Sequence, residues 1–124
     1  MKYADLNCIL EKRFPHLSSR ISHYLNMFDG SSPGSHILYG NVLSPYVKEL
    51  LKSDRDPTAL SQVFSFYEEL AQSSDIEVRN LLQVTLLEGL WDEKILLNRA
   101  SHYMLPETRR INDYIREYLS IPLD

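Results

Sequence analysis

The sequence predicts an all-α protein, a compact irregular bundle of six or seven helices. Three observations carry that prediction. Apolar residues recur at intervals of three and four along most of the chain, the repeat of a helix with one buried face. Pro15, Pro57 and Pro106 stand where helices open, and Pro122 stands where the last one stops, positions at which a helix tolerates proline. The one stretch with strand-like content, HILYGNVL from His36, has no second strand to pair with. An isolated strand would leave its backbone groups unbonded, so helix is expected there too.

The first helix is expected over residues 3–13, with Leu6, Ile9, Leu10 and Phe14 on one face. Pro15 disfavours helical geometry at Phe14 and then suits the first turn of a second helix, which runs to about Phe28. Its core face is Leu17, Ile21, Tyr24, Leu25 and Phe28. Residues 29–35, DGSSPGS, form the clearest loop. Over 36–52 a helix resumes, with Gly40 and Pro45 as irregularities. Ser44 is the expected cap of its regular part, Pro45 its first position, and Tyr46, Val47, Leu50 and Leu51 its buried face. Asp56 then caps a helix from Pro57 to about Gln72 that buries Leu60, Val63, Phe64, Tyr67 and Leu70. The break at 73–75, with Ser74 or Asp75 as cap, is short enough to set the next helix antiparallel beside it.

That next helix, residues 76–91, is the expected centre of the molecule. At 100° per residue Ile76, Leu87 and Leu90 point one way, Val78 and Leu82 another and Leu81 a third, with Val84 and Trp91 between. A helix apolar nearly all round belongs in the middle of a bundle. Gly89 bends it or ends it, and 92–103 continue with Ile95, Leu96 and Met104 inward. On the last helix Ile111, Tyr114, Ile115, Tyr118 and Leu119 recur at helical spacing, and Ile121-Pro122 stops it. No second copy of any unit lies at the roughly 34–47-residue periods of helical repeats, so no solenoid is expected.

Length and composition bound the function. A chain of 124 residues fits one helical domain, 1–124, with its own core. Cys8 is the lone cysteine, expected as a small buried apolar residue in a reducing cytoplasm. No stretch reaches the roughly 18–20 uncharged apolar residues of a membrane span, and the first dozen residues mix acids with bases. A cytoplasmic protein with no membrane partner is therefore expected. Net charge −4 speaks against nucleic acid as the main ligand. Arg99, Arg109, Arg110 and Arg116 alternate with Glu107, Asp113 and Glu117, which suits intrahelical ion pairs.

The sequence holds no catalytic signature. His16, His23, His36 and His102 are dispersed, and there is no nucleophile elbow, phosphate loop or dinucleotide fingerprint. Glu68, Glu69, Glu88 and Asp92, on two neighbouring helices, could hold a divalent ion, but without histidines a solvated acidic face is the commoner outcome. No cofactor, no metal and no enzymatic activity are expected. Recognition remains. Between Phe66 and Glu93 seven acids (Glu68, Glu69, Asp75, Glu77, Glu88, Asp92 and Glu93) face Arg79 alone, and the same helices carry Phe66, Tyr67 and Trp91. Acids steer a basic partner and aromatics anchor it, so the seven acids with Tyr67 and Trp91 form the expected partner-binding set. A nuclease is the natural basic protein, because its own site must attract phosphate. The plainer reading makes the aromatics core and the acids solubility.

The runs FSFYEEL and SDIEVRNLLQVTLLEGLWD, with LYGNVLSPYVKELL upstream, resemble small bacterial all-helical proteins of the immunity type, from toxin–immunity and contact-dependent inhibition systems. The likeness covers about residues 36–97 and is one of helices and acids. It implies a cytoplasmic inhibitor that binds one cognate toxin domain and performs no chemistry. The charge of the acids, rather than the likeness, makes that domain a basic nuclease. The alternative is a helical adaptor or regulatory module, or a homodimer, with no toxin partner.

Overall fold

A computed structural model describes residues 1–27 and 33–119. Its α-helical segments are α1 (Leu6–Arg13), α2 (Ser18–Asn26), α3 (Ser35–Leu38), α4 (Ser44–Ser53), α5 (Pro57–Ala71), α6 (Ile76–Asn80), α7 (Lys94–Ser101) and α8 (Pro106–Leu119). Tight single turns at Tyr3–Asp5 and Pro15–Leu17 lead into α1 and α2. Wide π-helical turns occupy Tyr39–Leu43, joining α3 to α4, and Leu81–Leu87, continuing α6 as far as a last tight turn at Glu88–Leu90. The described residues thus form seven continuous helical bodies and no strand, the all-α bundle the sequence predicts. None of these helices is long and apolar enough to cross a membrane. Phe28, residues 29–32 of the expected loop, and Ile121-Pro122 lie outside the described residues.

Local chemistry sets the boundaries. Phe14, forced by Pro15 out of helical geometry, sits at φ −129 and ψ 67 and separates α1 from α2. Asp56 caps α5 by accepting the Ala59 N–H at 3.0 Å. Asp75 caps α6 through the Glu77 N–H at 2.9 Å, and its other oxygen takes the Tyr3 N–H at 2.9 Å. One carboxylate therefore ties the start of the chain to the α5–α6 turn. α4 ends on Asp54, in the left-handed region at φ 52, and Arg99 of α7 donates to the last carbonyls, Leu51 O at 2.7 Å and Lys52 O at 3.0 Å.

The two wide turns account for the main departures from expectation. Pro45 has no N–H to give the Asn41 carbonyl, and its ring would press on that carbonyl in a regular helix. The π turn just before it lets the chain pass, with the Ser44 N–H reaching back five residues to Tyr39 O. Ser44 therefore caps nothing: the helix is already running from Ser35. In the second wide turn the Glu88 N–H reaches back to Gln83 O. Leu81 and Leu82, Leu86 and Leu87, then Leu90 and Trp91 are buried in pairs, five and then four residues apart. At 100° per residue those side chains scatter round the cylinder, but a turn that takes an extra residue gathers them on one inward face. The 76–91 helix is consequently not apolar all round. Ile76 is 70 % and Val84 46 % exposed, both against expectation.

The central position belongs to α5, which packs against α4, α6, α8 and the second wide turn. Its five expected core residues are all buried, and Phe66 and Glu68 join them. Phe66 meets Phe14 edge-on at 5.4 Å and stacks on Tyr39 at 6.4 Å. The Tyr39 hydroxyl donates to Leu6 O at 2.6 Å, so the ring brings no unbonded polar atom into the core. Three further expectations are corrected. Cys8 is exposed rather than buried, and Ile95 and Tyr114 face outward. Among the described side chains of α8 the buried ones are Thr108, Asn112 and Ile115, while the expected Tyr118 and Leu119 lie outside the described side chains.

Candidate protein-binding face

The structure gives most of the expected binding set other work. Glu68 is buried under the first turn of α8, where it accepts the Thr108 N–H (2.9 Å), the Thr108 hydroxyl (2.9 Å) and the Glu107 N–H (3.0 Å), with the Gln72 amide at 3.3 Å. Burial by itself would raise its pKa, but these donors together hold the carboxyl below its ordinary 4.5. The arrangement sets a full negative charge against a helix N-terminus. Glu69 pairs with Arg13 at 2.6 Å, and that guanidinium also lies 5.0 Å above the Phe66 ring. The hydrogen bond to Glu69 raises the Arg13 pKa. Asp75 is held by the Tyr3 and Glu77 N–H groups, which lower its pKa, and Glu93 pairs with Lys48 at 3.4 Å.

Neither aromatic anchor is at the surface. Tyr67 is fully buried, and burial raises its pKa. Trp91 is buried with its Nε1–H donating to Asn112 Oδ1 at 3.1 Å. Glu77, Glu88 and Asp92 remain, none of them in an ion pair with a described residue. Arg79, the local base, turns back to donate to Ser73 O at 2.6 Å. Among the described residues no three His, Cys, Asp or Glu side chains converge closely enough to hold a metal, so Glu68, Glu69, Glu88 and Asp92 do not meet at a point.

What the structure does assemble is an outward stripe. Along the 76–91 helix and just beyond, Ile76, Asn80, Val84, Glu88 and Asp92 follow at intervals of four, all at least partly exposed. Four lies between the periods of a regular and a wide turn, so on this mixed helix the stripe runs nearly along the axis. Next to it lies the α3 body. Gly40 approaches Thr85 so closely that a Cβ there would stand 3.3 Å from the Thr85 methyl, and His36 Nδ1 hydrogen-bonds the Thr85 hydroxyl. Tyr39, before Gly40, and Leu86, after Thr85, are buried. Asn41 and Val84, on the other side of the same contact, are exposed, as is Ile37. Ile37, Asn41 and Val84 are thus exposed near the contact of the two wide turns, and Asn41 also lines a shallow pocket with Ser19, Arg20, His23 and Tyr24. Glycine at position 40 lets the two turns approach this closely.

A family model described as Domain of unknown function (DUF7674) matches residues 6–120. The chain belongs to this family. No curated protein and no solved structure matches it. The DUF7674 match spans both wide turns. In the sequence, Ile37, Asn41, Ile76 and Val84 do not stand out as surface residues. The one available signal is the pair spacing Leu81/Leu82 to Leu86/Leu87, five residues, which a regular helix does not place on one face.

Proposed function

We propose that the chain is a non-catalytic binding protein that inhibits a basic partner by covering it, the partner being a cognate nuclease toxin domain in a toxin–immunity system. The supporting observation is the outward stripe, where Ile76 and Val84 share a line with Glu88 and Asp92, Glu77 follows directly after Ile76, and no described base forms an ion pair with these three carboxylates. Exposed aliphatics supply affinity, and unpaired acids supply attraction and register. The resemblance of residues 36–97 to immunity proteins supports the same reading. The docking set is accordingly Glu77, Glu88 and Asp92 with Ile76 and Val84, in place of the buried Tyr67 and Trp91.

The test takes the C-terminal domain of the protein encoded immediately upstream of this gene, purified and assayed for nuclease activity. Stoichiometric addition of this protein should abolish the activity. Glu88→Lys with Asp92→Lys should slow association at least tenfold at low salt and alter dissociation much less. Capture without loss of activity would instead make the protein an adaptor. Unchanged association of the charge-reversed variant would remove the electrostatic basis.

A further inference from the structure

We infer that α8 is a separable strap, which lifts off α5 as a unit while the rest of the bundle stays folded. It pivots at Leu105-Pro106, and its opening uncovers Trp91 and the Glu68 carboxylate. The strap needs no partner and stands apart from the function proposed above. The way α8 is seated carries this. It packs chiefly on α5 and the second wide turn. α5 is held by seven buried apolar side chains, whereas Ile115 is the one described side chain of α8 that is both apolar and buried, with Ile111 half-buried. The other two buried positions of α8 are polar and bonded across the joint. Thr108 donates its N–H and its hydroxyl to Glu68, and Asn112 accepts the Trp91 indole N–H. The partners of Glu68 beyond its own helix are Glu107 and Thr108, both in α8. On opening, water takes over these bonds and the carboxylate regains its hydration, so each costs only a modest net amount. Unseating α5 would instead put seven apolar side chains in water. The pivot is built as well. Just before it Met104 is buried and the Tyr103 ring stacks on Phe64 at 6.1 Å, which anchors the chain to α5 up to that point. Leu105 and Pro106 are exposed, and proline has no N–H to tie the joint into a helix. Arg109 reaches back across it to Ser101 O and Met104 O, bonds local to the pivot.

Hydrogen exchange of the full chain, followed by NMR at low urea concentrations, tests this. A detached helix of this length is marginal in water, so the α8 amides exchange whenever the strap opens. The α8 amides and the indole N–H of Trp91, the lone tryptophan, should exchange through one common opening. That opening should be at least tenfold more populated than the one exposing the Phe64 and Tyr67 amides, and should depend less steeply on urea. Glu68→Gln should raise its population at least tenfold, and Ile115→Val, a milder change, severalfold. Val47→Ala, in α4, should speed exchange at Phe64 and Tyr67 and leave Thr108 and the Trp91 indole as in the parent. Exchange of α8 in step with Phe64 and Tyr67, or an equal response of both groups to Val47→Ala, would mean that α8 leaves only with the whole fold and would overturn the inference. Exchange of α8 amides without the Trp91 indole would reduce the opening to fraying and overturn it equally.

Discussion

Glu68 carries the largest single-residue consequence. Its carboxylate receives two backbone N–H groups and a hydroxyl from α8 while buried. Hydrogen bonds to a charged buried group contribute about 1.5–3 kcal/mol, so Glu68→Gln should lower the urea-derived stability at neutral pH by that order. Because its pKa is held below the ordinary 4.5, its contribution is full above that value and disappears as pH falls through the folded-state pKa. Stability of the parent should therefore decline on acidification below about pH 4.5, and that of Glu68→Gln should decline less steeply. Glu69 looks alike in the sequence and should behave differently. Its pair with Arg13 is solvent-exposed, so Glu69→Gln should cost no more than about 1 kcal/mol in the same denaturation. Trp91, as the lone tryptophan, reports directly: its emission should be blue-shifted and resist quenching by iodide. Trp91→Phe leaves Asn112 without its donor and should cost about 1–3 kcal/mol.

Among the elements, the paired wide turns are the least regular feature, and they meet where Gly40 touches Thr85. Gly40→Ala gains up to about 1 kcal/mol of helix propensity but pushes a Cβ against the Thr85 methyl, so the net change should be small. Gly40→Leu overpacks the contact and should destabilise by about 1–3 kcal/mol. Combining Gly40→Ala with Thr85→Ser, which removes the opposing methyl, should be more favourable than the sum of the single changes, and a double-mutant cycle reads that difference. Element boundaries are largely legible in the sequence. Pro15, Asp56, Asp75 and Pro106 act within a turn of themselves, so their sequence positions are enough. The wide turns are not legible. A single inserted residue per turn changes no composition and only rotates the side chains beyond it, so a regular helical projection puts Val84 inside and groups Ile76, which precedes the wide turn, with the buried Leu87 and Leu90 beyond it.

For the whole molecule, charge is where expectation and structure part furthest. Seven acids crowd one stretch of sequence, yet four of them hold other parts of the chain: Glu68 holds α8, Glu69 holds Arg13, Asp75 holds Tyr3 and Glu93 holds Lys48. The remaining Glu77, Glu88 and Asp92 are surface residues, so reversing Glu88 and Asp92 should leave the thermal midpoint nearly unchanged, within about 0.5 kcal/mol of stability. A large drop would mean that these two acids also hold the fold together.

The helices, most of their ends and the core face of α5 come from the sequence by itself, because apolar period, proline geometry and carboxylate caps act over a few residues. Tertiary structure alone decided which acids stay available and which faces of the 76–91 helix see water. Hydrogen bonds such as Glu68 to Thr108 and contacts such as Gly40 to Thr85 join residues forty or more positions apart, and their partners are chosen by packing, which no local pattern records.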